Sequence, residues 1–432
     1  MNGHSRREFL ASSTAAALGA RTGSLTWPVS ATGAVPAPTS VAADEPVKIG
    51  VIGTGGMGTG HVEAFLSIAK AQRANVTVAA LADVCQERLD AAKQKVEEAQ
   101  GVGTVETFYA NYPGLLARKD LHGVLIASPE HWHAKMVEDG VAAGKAVYVE
   151  KPMTLRLPEA LRLNAMVKAN PQALVVVGTQ FVMMPSYRKA QEMIAAGAIG
   201  KPVWSQTSYC RNSKDGEWLY YAINPEWKAG ENLDWNQWCG GLGAIPWNPD
   251  IYARWRRYHK YSTGIIGDLL VHRITPLVMA LNLGWPTRVV ASGGHYVDKV
   301  MDNHDQVNLN IEFEGEHTMI VAGSTSNEVG LETVIRGHKG NLYIGGARNA
   351  VLRPERIYAD EVDEQTYEGE DLGDSQDQLR ISWIEAIRSK GPSPSPVELG
   401  AKVMVAVDLA TRSLWEGSAF AFDPATMRVR KL

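Results

Sequence analysis

A two-part architecture is predicted: a parallel α/β sheet with helices on both faces, then an α+β half with a mostly antiparallel sheet. Three observations predict it. Apolar runs of strand length alternate with helical patterns from residue 47 to about 180, as in a doubly wound parallel sheet. The first of these strands runs through a glycine-rich loop into a helix. From residue 202 onward the strand-like segments instead follow one another in runs, the mark of antiparallel pairing. A chain of 432 residues is too long for one ordinary domain and suits two.

The chain opens on Ser5-Arg-Arg-Glu-Phe-Leu10 and the mildly apolar stretch Ala11 to Ala20. Paired arginines before such a run read as a twin-arginine export signal, and the run is too short to span a bilayer. Residues 21–43 are rich in Ala, Thr, Ser, Pro and Gly and read as a flexible spacer. No cysteine stands near it, so no lipid anchor is expected and an extracytoplasmic, periplasmic location is. The expected segments are 1–43 for signal and spacer, 44–180 for the parallel α/β domain and 181–432 for the second domain.

Val47 to Ile52 is the first strand. Gly53-Thr-Gly55-Gly56-Met57-Gly58 fits G-x-G-x-x-G, and Thr59 to Ala71 reads as the following helix. Backbone N–H groups at such a helix start, with the helix dipole, hold a pyrophosphate. Gly53 permits the tight turn, Gly55 lets phosphate approach the backbone, and Gly58 lets helix and strand pack closely. The second strand, Val76 to Ala82, ends in Asp83, which stands 25 residues after Gly58. That is close to the roughly 20 expected of a ribose-binding acid. Its carboxylate would repel a 2′-phosphate, so NAD is expected over NADP.

Ligands on parallel sheets bind outside the carboxyl ends of the strands, so the residues after each strand matter most. Ser128-Pro-Glu-His-Trp-His133 follows the strand 123–127, Glu150-Lys151-Pro152 follows 146–149, and Gly178-Thr-Gln180 follows 174–178. Helices are expected near 86–99, 133–143 and 158–169. In the second half, helices are expected near 184–196, 266–283, 376–389 and 397–415. Strands are expected near 202–210, 288–297, 306–313, 317–324, 331–336 and 341–344. Residues 214–262 have little periodicity, and tryptophans stand at 218, 227, 235, 238, 247 and 255. Most are expected to pack this excursion onto the domain, with one or two at a pocket rim.

A net charge of −4 gives no argument for nucleic acid or an anionic membrane. Cysteines at 85, 210 and 239 are too few and scattered for a disulfide framework or a zinc site. His131 and His133, two apart, do not share a helix face, and no metal is expected. Asp268 and His272, four apart, would point from one helix face, a spacing that a surface ion pair also explains.

Taken together, the glycine-rich loop, Glu150-Lys-Pro152, Gly178-Thr-Gln180 and Gly267-Asp-Leu-Leu-Val-His272 resemble the Gfo/Idh/MocA oxidoreductases, over about residues 46–425. Glu231-Asn-Leu-Asp-Trp235 and Trp383-Ile-Glu-Ala-Ile-Arg388 resemble the exported bacterial branch. The resemblance implies a Rossmann domain followed by a domain with a large open sheet, and NAD-dependent oxidation of a sugar or polyol hydroxyl. A homo-oligomer formed through the C-terminal sheet is expected with it. Lys151 becomes the cation at the developing alkoxide, His272 the proton acceptor, and Asp268 its orienting or relaying partner. Ser128, His133, Glu150 and Gln180 join Gly53, Gly55, Gly56, Met57, Gly58, Asp83 and Lys151 as expected cofactor contacts. Thr275 and Phe181 depart from the acid and the basic residue that many members carry at those positions. A redox-neutral NAD-dependent glycosidase or lyase, and a non-catalytic sugar-binding protein, are the alternatives on the same scaffold.

Overall fold

The computed structural model describes residues 35–432, so the expected export signal lies outside the described residues. Six parallel strands form the first sheet: β1 (Val47–Ile52), β2 (Val76–Asp83), β3 (Glu106–Tyr109), β4 (Gly123–Ile126), β5 (Ala146–Val149) and β6 (Val175–Val177). Their order is β3-β2-β1-β4-β5-β6. The crossovers carry α1 (Gly56–Lys70), α2 (Gln86–Gln100), α3 (Tyr112–Ala117), α4 (Glu130–Ala142) and α5 (Leu157–Ala169). Every residue of β4, β5 and β6 is buried, as a sheet covered on both faces requires. The order reverses between β1 and β4, and that switch point opens the crevice described below. Five of these strands are the expected ones. The edge strand β3 is new: four half-exposed residues with no apolar run.

The second half begins with α6 (Pro185–Ala195) and β7 (Pro202–Cys210). After the excursion, which holds α7 (Trp235–Cys239) and α8 (Pro249–Arg254), come a π-helical turn at Ile266–Leu270 and α9 (Val271–Ala280). Seven strands follow: β8 (Pro286–Gly294), β9 (Gln306–Phe313), β10 (His317–Ser324), β11 (Thr333–Gly337), β12 (Gly340–Ile344), β13 (Asn349–Pro354) and β14 (Gln365–Glu368). The chain closes with α10 (Ser375–Ser389), α11 (Val397–Glu416), β15 (Phe420–Asp423) and β16 (Arg428–Lys431). The ten strands lie in the order β14-β13-β12-β11-β7-β10-β9-β8-β15-β16. Only β7 and β10 run parallel; the other pairings are antiparallel.

Packing explains how the halves join. One core runs from α4 and α5 through the π-turn and α9 to the inner face of the ten-stranded sheet and α11. A second core covers the other face of the six-stranded sheet with α1, α2 and α10. Leu379, Trp383, Ile384 and Ile387 make one apolar stripe on α10 at helical spacing, so this late helix buries itself against the first sheet. Trp383 meets the rings of Phe65 and Tyr148. It also sits 2.8 Å from where a Cβ on Gly123 would stand, so only glycine fits there.

Candidate active site

The loop after β1 is built for close approach. Gly53 has φ +89°, and a Cβ there would lie 2.8 Å from the Ala127 carbonyl carbon. A Cβ on Gly58 would lie 1.7 Å from the Gly53 oxygen. Helix α1 starts at Gly56, three residues earlier than the sequence suggests, with no side-chain cap on its first turn. Its leading N–H groups are thus left for an anionic ligand. A cleft of about 480 Å³ opens over this loop. Gly53, Gly55, Gly56 and Met57 line it, as do Asp83, Ser128, His133, Glu150 and Lys151 from the neighbouring strand ends. Gly58 lies beneath the loop, and Gln180 is not among the lining residues.

Asp83 is fixed before any ligand arrives. Thr54 donates to its Oδ2 from the backbone N–H at 2.5 Å and from the hydroxyl at 3.1 Å, and Cys85 N–H donates to Oδ1 at 2.8 Å. Ser128 Oγ is enclosed without a protein partner. This orphan, the glycine cradle and the aimed carboxylate together fit a dinucleotide. His133 acts differently. Its Nδ1 lies 2.7 Å from the Pro152 carbonyl and its Nε2 2.8 Å from that of Ser128. Burial favours the neutral ring, which donates to one of the two, so His133 braces the pocket wall and keeps no ring nitrogen for a ligand.

Glu150 is held by groups far away in sequence. Arg380 on α10 donates from Nε to His61 Nδ1 at 2.9 Å, so His61 carries its proton on Nε2 and donates it to Glu150 Oε1 at 2.8 Å. Gln376 reaches the same oxygen at 3.2 Å, and Lys151 N–H donates to Oε2 at 3.1 Å. Burial opposes the charge on Glu150, but these donors outweigh it and bring the carboxyl down to about 2.

Lys151 leaves the end of β5 toward the π-turn. Its Nζ donates to Asp268 Oδ1 at 2.9 Å and to the Asp268 carbonyl at 3.0 Å. Arg256 donates from Nε to the same Oδ1 at 2.8 Å. Burial raises the Asp268 carboxyl, yet Lys151 and Arg256 together hold it well below the usual carboxylate range. Asp268 makes no hydrogen bond to His272; its bonded oxygen is taken by the two cations. His272 rests against the Phe181 ring at 5.3 Å, with Nδ1 enclosed and unpartnered. Burial first, then Lys151, push its pKa down to about 3, so it stands as a neutral base. Thr275 turns back to its own helix and bonds the Val271 carbonyl.

The excursion straps across the cleft. Asp234 N–H donates to the Val84 carbonyl at 2.8 Å and Gln86 N–H to that of Asn232 at 2.9 Å. Trp227 Nε1 and Asn224 Nδ2 both donate to Glu87 Oε2 at 2.7 Å. The Trp238 carbonyl takes Trp132 Nε1 at 2.9 Å and lies 2.7 Å from His131 Nε2, so the His131-Trp-His133 motif docks this strap. Four of the six tryptophans are buried, and Trp238 and Trp255 line the cleft with Tyr221, Tyr252 and Arg256. Neither Arg256, nor His61, nor Arg380 carries a short-range signal that would have found it.

With this geometry in place, two family models match the chain. One, described as "Oxidoreductase family, NAD-binding Rossmann fold", covers residues 47–179; its C-terminal alpha/beta counterpart covers 191–421. The chain belongs to the Gfo/Idh/MocA oxidoreductase family. Among relatives of this Gfo/Idh/MocA member, inositol 2-dehydrogenase 1 of Saccharopolyspora erythraea is 33% identical over 157 residues, 36% of this chain and 44% of the relative. An alpha-N-acetylgalactosaminidase of Shewanella oneidensis is 27% identical over 244 residues, half of each chain. The chain thus matches about half the length of these relatives. A solved levoglucosan dehydrogenase, in complex with NADH and levoglucosan, shares the fold with a TM-score of 0.65 at 19% identity, over 87% of this chain and 99% of that one. Among the described residues no helix is long and apolar enough to cross a membrane.

Asp83 offers a direct test of cofactor choice. Asp83→Ala removes a charged acceptor and frees the Thr54 amide. A hydrogen bond to a charged group contributes about 1.5–3 kcal/mol, so NAD affinity should fall roughly ten- to a hundredfold while discrimination against NADP relaxes. Equal affinities for the two nucleotides in the unmodified protein would contradict this role.

Proposed function

We propose that the protein oxidises a secondary hydroxyl of a sugar, polyol or sugar derivative with an NAD that stays bound. The observation that carries this reading is the Asp268-held Lys151 at the floor of a dinucleotide cleft, with a neutral His272 four residues along. Bound NAD supplies the hydride acceptor. His272 takes the hydroxyl proton. Lys151, held in place by Asp268, stabilises the developing alkoxide. Arg256 shares that carboxylate, and Glu150, locked by His61 and Arg380, fixes the strand end from which Lys151 projects.

Two further points support retention of the cofactor. The strap covers the cleft, and the twin-arginine motif would export a folded protein that had already acquired its nucleotide. Outside the cytoplasm no NAD pool is expected to exchange with it. The bound cofactor is then reset by a second substrate or by later steps of one reaction. This favours a paired oxidoreductase or a redox-neutral glycosidase, and the Shewanella relative's name lends weight to the second. A binding-only protein is disfavoured because Lys151, Asp268 and His272 are all present. Assembly through the ten-stranded sheet, whose strands expose Val203, Val290 and Ile320, belongs to the same proposal.

Product analysis separates the two catalytic readings. Protein given no added NAD is incubated with sugars and with aryl glycosides. Release of aglycone with no net NADH supports the redox-neutral route; a keto-sugar formed with a reduced co-substrate supports the paired route. Neither product from any sugar would contradict both.

A further inference from the structure

Beside His272 stands a second basic side chain that the reaction above does not use. Arg273 follows it on α9, and the two residues share the same aromatic floor. The Arg273 guanidinium carbon lies 5.2 Å from the Phe181 ring and 5.4 Å from the Tyr209 ring. The His272 ring lies 5.3 and 6.1 Å from those rings. Arg211 holds Tyr209 as well: its guanidinium carbon is 5.1 Å from the ring, and Nη2 donates to the hydroxyl at 3.0 Å.

The nearby carboxylates are engaged by other donors. Arg211 is paired with Glu217 at 3.0 Å, but Glu217 is fully buried and also accepts from Ser213 at 2.6 Å and Tyr220 at 2.9 Å. Asp268 is shared between Lys151 and Arg256. No carboxylate lies within 4.0 Å of Arg273 among the described residues. Its Nε is enclosed without an acceptor, and the neighbouring Tyr187 hydroxyl makes no well-directed bond to it. A guanidinium stays charged at any working pH, and burying part of one without an anion is costly. Its planar fork matches two oxygens of a carboxylate or sulfate. The Arg211 side chain is 39% exposed, so part of it remains open to a ligand.

We infer that the sugar bound beside His272 carries a negative charge, as a carboxylate or a sulfate ester, and that Arg273, with Arg211 across the Tyr209 ring, holds that group. This rests on the oxidoreductase reading for the position of the sugar. It goes further in naming the substrate class and the residue that selects it.

The test uses the full protein with its own nucleotide and three matched probe sets: glucose and galactose, their uronates, and their 6-sulfates. Binding is measured calorimetrically, and reduction of the bound nicotinamide is followed by absorbance. Uronates or sulfates should bind roughly tenfold or more tightly than the neutral sugars, and the tighter of the two acids identifies the anion. Arg273→Gln should bring the acid-to-neutral ratio close to one, and Arg273→Lys should keep part of it. If Arg273→Gln does not fold, the ratio in the unmodified protein decides. Parity between neutral and acidic sugars, failure of all four acids to bind, or an unchanged ratio in a folded Arg273→Gln overturns the inference. Tight acid binding with no nicotinamide reduction by any sugar would sink the oxidoreductase reading and leave this one standing. Reduction by neutral sugars with no preference for acids would do the reverse.

Discussion

Lys151→Met is expected to cut turnover by roughly 10²–10⁴, and His272→Ala to do the same, the range for removal of a positioned acid–base or charge-stabilising group. The two variants fail for different reasons. Methionine fills the lysine's place along the cleft but withdraws both bonds to Asp268, leaving that buried carboxylate to Arg256 alone. The site then loses the proposed alkoxide stabiliser and one of the two cations that hold Asp268. His272→Ala takes away the proposed base and leaves the Lys151–Asp268–Arg256 cluster intact, since none of these bonds involves the imidazole. Nucleotide content should therefore stay near that of the parent in His272→Ala. Near-normal turnover of His272→Ala on its true substrate would remove the proposed proton acceptor.

Gly58→Ala carries the other large effect. Its methyl group would stand 1.7 Å from the Gly53 oxygen and 2.8 Å from the Gly53 carbonyl carbon. Both are backbone atoms, so no rotamer change relieves the clash. The loop must move, and Gly53 at φ +89° is already in a conformation that few other residues adopt. Nucleotide binding should fall at least ~100-fold, about 2.7 kcal/mol, and the melting temperature should drop. A Gly58→Ala protein that melts and binds nucleotide like the parent would show that the cradle is not as tight as the geometry requires.

How legible this was in the sequence depended on the range of each signal. Strand β1, its glycine loop and the apolar runs of β4 to β6 announce themselves because a sheet covered on both faces needs uninterrupted apolar strands. The rule that ligands gather at the carboxyl strand ends then picked out Asp83, Ser128, Glu150 and Lys151, which the fold brings round one cleft. Edge strands gave no such signal. β3, β14 and β16 have four residues each, and β16 is Arg428-Val-Arg-Lys431, with charges where an inner strand would carry valine or isoleucine. The contacts that set the site's electrostatics were out of reach for another reason. His61 and Arg380 are 319 positions apart, and Lys151 and Asp268 are 117 apart. No local pattern encodes such pairs. Asp268 and His272 have the spacing of one helix face, while the carboxylate's hydrogen bonds run to Lys151 and Arg256, which no local spacing points to.

NAD is proposed to be a resident group between Lys151, His272 and the strap. Protein recovered from the exported fraction is dialysed extensively, denatured, and its released nucleotide quantified. A second portion receives substrate without added NAD. Near-stoichiometric nucleotide after dialysis, and a nicotinamide that is reduced and reset in place, are expected. Protein that arrives empty, and needs free NAD that departs as NADH at each turnover, would contradict that proposal.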